Sequence, residues 1–438
     1  MISFKVKGAA RDIHGALSMP GDKSIAHRCA ILGALSPKVT TLTNFPLNDD
    51  CLATLSLLKQ LGIPVDIKGK TVRIHGKGLR GLRRPCGRLL VRESGTTFRL
   101  MLGVLAGQGF PCELSAGRSL AARPMLRVTA PLRSMGAGVK GKGKGGEEYP
   151  PVDIRPAALH AISYQMPVAS AQVKSALLLA GLYAAGTTRI KEKLTTRDHT
   201  ERLLASFKAD IHRTGKTVSV SGGRSLVSPG RILIPGDISS AAFFAVLGAI
   251  IPGSRVTIKD AGLNGTRTGF ISVLKRMGAG IRIRRGKPGA EPYGDITVTG
   301  ARLKGTRVGR QEIPSLIDEL PILMVAAACA GGETVFDGVE ELRVKETDRI
   351  RSMLENLALM GAKCRVKRRG KHETIVITGS QELTGASVKS YGDHRTAMSM
   401  IIAGLKARGA TRIDDVSCID KSFPGFIAAL AKMKVFLP

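Results

Sequence analysis

The chain has 438 residues, 43% of them hydrophobic, enough for a large core and for two or three domains. Its apolar runs are short and rich in Ala and Gly, which argues against membrane spans. Its formal charge of +33 admits nucleic acid, anionic membrane or acidic small molecules as partners, and the distribution of that charge decides among them.

The start, MISFKVKGAARDIHG, lacks the apolar core of a signal peptide, so a cytoplasmic protein without a membrane partner is expected. After a short strand at 3–6 the chain repeats itself. An Ala/Leu-rich helix that stops at a Gly turn and runs into a β-branched strand occurs six times, from about residues 31, 101, 178, 246, 324 and 401. Interleaved with it, Leu-x-x-Met-Gly-Ala or a variant recurs at 58–63, 132–137, 204–209, 274–279, 357–362 and 430–435. Each unit therefore reads helix, strand, helix, hairpin. The hairpin turns hold basic clusters at 68–70, 140–144, 212–216, 282–287 and 365–371, which read as solvated loops that discourage edge-to-edge pairing. Aromatics are 4% of residues and Trp is absent, so stacking platforms are scarce and no nucleic-acid partner is expected.

PGDKS at 20–24 and PGDISS at 235–240 open helices half a chain apart. This implies two similar domains of three units each: 20–233, and 1–19 with 234–438. The N-terminal strand joins the second set, and the two crossings between the domains form a hinge beside a ligand cleft.

Chemistry-bearing residue types gather at helix starts. At the first helices stand Lys23, Ser24 and Arg28; Ser94, Gly95, Thr96 and Arg99; Ser170, Gln172 and Lys174; Asp237 and Ser239; Asp318 and Glu319; Asp393, His394 and Arg395. At the second helices stand Asp49 and Asp50; Arg123; Arg197, Asp198 and His199; Thr266 and Arg267; Lys345, Glu346 and Arg349; Lys421. The stretch 342–351, LRVKETDRIR, is expected to place Lys345, Glu346, Asp348 and Arg349 in a first helical turn, with Lys345 and Arg349 on one face. Thr347 and Asp348 are candidate caps there, as Ser24, Ser94, Ser170, Thr196 and Ser239 are elsewhere. A helix N-terminus offers free N–H groups and positive potential, so several of them facing one cleft suit two anionic substrates. Seven cysteines without CxxC pairs argue against disulfides or zinc, no His/Cys/carboxylate cluster has metal spacing, and neither a nucleotide phosphate loop nor a Gly-x-Ser-x-Gly elbow is present.

These residues fall within motifs that resemble the 5-enolpyruvylshikimate-3-phosphate synthase family. The matching segments are PGDKSIAHR (20–28), SGTTFR (94–99), RPM (123–125), SAQVKSALLLAGL (170–182), RDHTE (197–201), PGDISSAAF (235–243), IDELP (317–321), LRVKETDR (342–349), GDHR (392–395) and DKSFPGF (420–426). The resemblance implies an α/β protein of two similar domains, each of three βαβαββ units in an inside-out α/β barrel. It implies transfer of the enolpyruvyl group of phosphoenolpyruvate to the 5-hydroxyl of shikimate 3-phosphate, with release of phosphate, by a monomer without cofactor or metal. Lys23, Ser24, Arg28, Ser170, Ala171, Gln172, Thr196, Asp318 and Lys345 would bind shikimate 3-phosphate. Lys23, Gly95, Arg123, Gln172, Arg349, Arg395 and Lys421 would bind phosphoenolpyruvate. Asp318 would take the hydroxyl proton, Glu346 would protonate the methylene carbon, and Lys23 would assist both substrates.

Glu93, Leu100, Glu341 and Arg197 depart from the pattern of other members, and Gly95 in place of Ala implies sensitivity to glyphosate. The sister enzyme acting on UDP-N-acetylglucosamine carries Asn after the first Lys, where this chain has Ser24.

Overall fold

The computed structural model describes residues 3–8, 10–380 and 382–433. The last copy of the short repeat, 430–435, ends at positions 434 and 435, which lie outside the described residues.

The chain forms two compact units. One comprises residues 21–234 with 288–291; the other takes the described residues of 1–20, 235–287 and 292–438. Each is a mixed α/β assembly built around long apolar helices. In Ile238–Ile250 all of ISSAAFFAVLGAI is buried, and in Leu320–Ala328 all of LPILMVAAA is. A helix with no polar face can only lie inside. His394–Lys406 packs with these two in the second unit. In the first unit the corresponding helices are Lys23–Leu35, Gly95–Leu105 and Ala171–Gly181. The last two cross so closely that a Cβ on Gly103 would stand 2.1 Å from the carbonyl oxygen of Ala176.

The two PGD motifs fold alike. Asp22 has φ −63° and ψ 119°, and Asp237 has φ −63° and ψ 113°. Each turns its carboxylate onto backbone N–H groups of the following helix, Ile25 for Asp22 and Ser239 with Ser240 for Asp237. That pairing satisfies donors that a helix start leaves free.

Small sheets lie against the helices, six among the described residues. Five share one order: a short parallel edge strand, a central strand, then the two arms of an antiparallel hairpin. In the first unit Pro37–Thr43 is flanked by Arg231–Leu233 and Thr71–Lys77, with Val65–Lys68 outermost. In the second, Arg255–Gly262 lies between His14–Ser18 and Tyr293–Thr299. Among the described residues the sixth sheet has three strands and no hairpin of its own. Phe4–Lys7 pairs antiparallel with Ala410–Ile413 and completes it, with Ser387–Val388 at the parallel edge. Most parallel edge strands are two or three residues long, such as Leu89–Leu90 and Ser163–Gln165, too short for any period to reveal them. The lysines at 140–144 lie in a strand arm, Gly138–Lys144, and the turn itself is Gly145–Gly146. Among the described residues no helix is long and apolar enough to cross a membrane.

The Met-Gly-Ala repeat is a helix stop. Gly62, Gly136, Gly278 and Gly361 follow their helices at φ 81°, 87°, 101° and 90°, in the left-handed region that closes a helix end. In the third copy Lys208 takes the same place at φ 60°. A Cβ on Gly361 would find only Thr384 Oγ1, at 4.0 Å, so the backbone alone resists a side chain there. Gly361→Ala is therefore expected to cost about 1 kcal/mol, and Lys208→Gly to cost nothing or to stabilise slightly. Urea midpoints of the two variants check this. Equal losses in both would refute the account of the repeat.

Candidate active site

In the first unit, polar side chains in the first turns of the core helices link those helices to one another. Arg28, 4% exposed, donates from Nε to Thr200 Oγ1 at 2.7 Å, from Nη2 to Ser175 Oγ at 2.9 Å and from Nη1 to the Ser24 carbonyl at 2.8 Å. Burial lowers its guanidinium to about 10, which leaves it cationic at neutral pH. Lys23, in the first turn of the same helix, holds Asp50 Oδ2 at 2.7 Å. Ser94 caps Gly95–Leu105, its Oγ accepting from Thr97 N at 3.3 Å. A Cβ on Gly95 would meet Arg99 Nη1 at 3.1 Å and Arg123 Nη1 at 3.2 Å, so this glycine leaves room for two guanidiniums at the helix end. Arg99 donates to Gln172 Oε1 at 2.7 Å, and Gln172 donates to Thr96 Oγ1 at 3.0 Å. Ser170 caps Ala171–Gly181 through Val173 N. The structure thus gathers Gly95 with Arg123, and Ser170, Ala171 and Gln172 at one helix start.

Two expectations need correcting here. Ser24 caps nothing, because Asp22 already holds that position. Thr196 precedes no helix directly: its N–H and its hydroxyl both donate to Glu192 Oε1, at 3.0 and 2.5 Å.

In the second unit the acids and cations interlock. Asp318 lies between two arginines, with Oδ1 3.5 Å from Arg349 Nη1 and Oδ2 3.8 Å from Arg395 Nη2. Its carbonyl accepts from Arg395 Nη1 at 2.8 Å. Arg349, 1% exposed, donates from Nε to Asp393 Oδ2 at 3.0 Å and from Nη2 to Glu346 Oε2 at 2.6 Å. Burial alone would lower the Arg349 guanidinium; Asp393, Glu346 and Asp318 together raise it. Burial would likewise raise the Asp393 carboxyl, and Arg349 brings it below the usual range. Lys345 is half-buried, 3.8 Å from Glu341, and desolvation lowers its ammonium against the pull of Asp318 and Glu341. Lys421 is exposed at the end of the short turn Ser417–Lys421, and among the described residues no hydrogen bond or ion pair ties it to Arg395 or Asp318.

The helix start at 342–351 lies later than expected. Asp348 is extended, and its Oδ1 accepts from Arg351 N at 3.0 Å, so the helix is Arg349–Leu359. Lys345 and Glu346 stand in the turn ahead of it, and Lys345 does not share a helical face with Arg349. Asp318 similarly precedes Leu320–Ala328, and Ser239 lies inside its helix behind the Asp237 cap.

The sequence named several polar residues without showing how they pair. Glu93 accepts from the backbone N–H groups of Ser119 and Leu120, at 3.3 and 2.8 Å, and so caps the short helix Arg118–Ala121 that leads to Arg123. Its charge is held by backbone donors. Arg267, 2% exposed, donates to Ser239 Oγ at 2.6 Å, and that hydroxyl binds Glu319. Beneath the Ser94 cap runs a chain of hydroxyls: Ser94 to Thr97 at 2.7 Å, Thr97 to Thr54 at 2.6 Å, Thr54 to His27 Nδ1 at 2.6 Å. Small polar residues on otherwise apolar helices were the available hint.

In both units of this mixed α/β fold, cations and carboxylates thus collect at or just ahead of helix starts. A sequence profile of EPSP synthase (3-phosphoshikimate 1-carboxyvinyltransferase) matches residues 8–430. The 3-phosphoshikimate 1-carboxyvinyltransferase of Shouchella clausii is 45% identical over 427 residues, covering 97% of this chain and 98% of that one. That of Geotalea daltonii is 46% identical over 428 residues, with the same coverage of 97% and 98%. A solved EPSP synthase from Acinetobacter baumannii aligns with a TM-score of 0.88 at 40% identity, covering 98% of both chains. The chain belongs to the EPSP synthase family. Its reaction is enolpyruvyl transfer from phosphoenolpyruvate to shikimate 3-phosphate, in aromatic amino acid biosynthesis.

His27 gives a test of the buried hydroxyl chain. Burial pushes its imidazole from 6.5 down to about 3. Between those values the unfolded chain binds a proton that the folded chain does not, so stability rises with pH across the window and falls as pH is lowered through it. His27→Gln should flatten that slope. Urea midpoints between about pH 7 and about pH 4 measure it, and an unchanged slope would exclude His27 as the titrating group.

Proposed function

We propose that the first unit supplies most of the contacts to the shikimate 3-phosphate and that the second supplies the groups that move protons. Arg28 and Ser24 hold the shikimate ring and carboxylate. Ser170, Ala171 through its N–H, Gln172 and the Thr196 loop take the 3-phosphate. Lys345 adds a cation to the same substrate, and Lys23 reaches both substrates. Gly95, Arg123, Gln172, Arg349, Arg395 and Lys421 hold phosphoenolpyruvate. Each unit is read as an inside-out α/β barrel of three βαβαββ repeats, over 20–233 and over 1–19 with 234–438, with the two chain crossings as a hinge. The protein acts as a cytoplasmic monomer and needs no cofactor.

The observation that carries this reading is the Asp318–Arg349–Glu346 arrangement, two carboxylates on one buried guanidinium. Phosphoenolpyruvate becomes electrophilic at C2 when C3 gains a proton. Glu346 gives that proton, and Asp318 takes the proton of the attacking 5-hydroxyl. Arg349, Arg395 and Arg123 can hold carboxylate and phosphate through paired N–H groups and align the reactants. Expulsion of water protects the cationic centre from hydrolysis.

Phosphate release from phosphoenolpyruvate is expected only when shikimate 3-phosphate is present; release independent of it would reject the reading. Asp318→Asn and Glu346→Gln should each lower kcat by about a hundredfold or more. Arg349 keeps its bond to Asp393 when Glu346 is neutralised, so the Glu346 variant should still fold cooperatively. Wild-type turnover in either variant would remove that residue from the mechanism.

Lys345 gives a pH signature. Desolvation lowers its ammonium, so it loses charge earlier on the alkaline side than an ordinary lysine near 10.4. The KM for shikimate 3-phosphate should therefore rise with pH below that value. Lys345→Arg keeps its charge and should move the rise upward. An alkaline limb at the same pH in both proteins would exclude Lys345.

A further inference from the structure

Beneath the loop at 192–198 lies a set of charges with no assigned role. Lys174, 0% exposed, places Nζ 2.6 Å from Glu201 Oε1, 3.1 Å from Glu192 Oε1 and 3.5 Å from the Thr196 carbonyl. Arg213 reaches Glu192 Oε2 at 3.2 Å and Glu201 Oε1 at 3.4 Å. Two cations face two carboxylates, so the set is formally neutral. Such a cluster is a poor source of stability, since apolar side chains of similar volume commonly do as well or better.

Its geometry has a different consequence. Lys174 sits one turn into Ala171–Gly181, the helix whose start carries Ser170 and Gln172. Glu192, held by that lysine, takes both donors of Thr196. The cluster therefore ties the loop to the helix start through buried ionic contacts. Glu201 Oε2 has no hydrogen-bond partner among the described residues; Lys174 and Arg213 pair directly with Oε1, and Arg28 adds a third positive charge nearby.

We propose that Lys174 and Glu192 are positioning residues for the 3-phosphate of the substrate: they hold the 192–198 loop against the start of the Ala171–Gly181 helix before the substrate arrives. This deepens the functional reading above and rests on its placement of the phosphate at Ser170, Ala171 and Gln172. Thr196 then acts by anchoring its loop, with its hydroxyl kept on Glu192. A preformed loop removes an ordering cost from binding, and the gain falls on the phosphate alone.

The test compares affinities for shikimate 3-phosphate and for shikimate, which lacks the phosphate, by titration calorimetry. The variant Lys174→Met with Glu201→Gln removes one charge of each sign and keeps the cluster neutral. It should bind shikimate 3-phosphate about tenfold more weakly, with shikimate affinity and kcat changed by less than about threefold. Undiminished affinity for shikimate 3-phosphate in the folded variant overturns the proposal, as does an equal loss for both ligands. Should the double variant fail to fold, the isosteric Glu192→Gln decides by the same comparison. Ser170→Ala separates the two levels: if it too leaves the affinity for shikimate 3-phosphate unchanged, the placement of the phosphate itself is wrong. If it weakens that binding and the cluster variants do not, only the positioning role fails.

Discussion

A guanidinium that is 1% exposed must have its charge answered at bonding distance, and for Arg349 the answer is Asp393. One oxygen of that carboxylate holds Arg349; the other accepts from Arg395 N at 2.7 Å and Thr396 N at 3.0 Å. A single buried acid thus caps a core helix, fixes one arginine by its side chain and fixes the next by its backbone. Asp318 and Glu346 then meet a cation that cannot move away. Without Asp393 the cation would be left to the two outer carboxylates, at 3.5 and 2.6 Å. Breaking one partner out of a buried ion pair is also costly to the fold, on the order of 3–5 kcal/mol.

The two units use the same local fold for different electrostatics. The PGD turns are nearly superimposable in their dihedrals, yet the surroundings of their cations differ. Arg28 in the first unit hydrogen-bonds only neutral oxygens, those of Thr200, Ser175 and Ser24. Its charge is answered through space instead, by Glu201 first and then by Asp22 and Glu291. Arg267 in the second unit lies 3.7 Å from Glu319 and 4.0 Å from Asp237, and Arg349 is held by acids throughout. Other cations of the first unit are held by acids too, Lys23 by Asp50 and Lys174 by Glu192 and Glu201, so the contrast lies between individual guanidiniums and not between whole units. Sequence duplication therefore conserves the helix cap while the side chains one turn later set the chemistry.

The repeat and its helix starts were partly legible in the sequence. Helix stops and hairpins showed because Gly at positive φ and basic turn residues leave a periodic trace. The residues gathered around Arg349 also showed, because acids and cations at helix starts are unusual enough to notice. Asp348 was among the caps the sequence offered, and it is the cap; placing Lys345 and Glu346 in the first helical turn was wrong, because a cap at Asp348 starts the helix only at Arg349. The Thr54–Thr97 link and the Lys174 cluster join residues 43 and up to 39 positions apart. No local period encodes such pairs. The edge strand Leu89–Leu90 is two residues long and takes its identity from pairing with Cys112–Ser115.

The excess positive charge is of two kinds, buried cations near helix starts and exposed cations on the hairpins. The hairpin arms carry many of the exposed ones, and several are already paired: Arg284 with Asp295 at 2.6 Å and Arg365 with Glu333 at 2.6 Å. Exposed pairs of this kind contribute little, roughly 0–1 kcal/mol. An arm such as Lys363–Arg369, seven residues long, spans about 20 Å at the usual rise of a strand. The Debye length at physiological ionic strength is about 8 Å, so charge at the tip of such an arm is largely screened at its base. Arg28 and Arg349, by contrast, are buried, where screening by salt is much weaker. The exposed charge can steer anions toward the protein at low salt, and the buried cations keep their pull as salt rises.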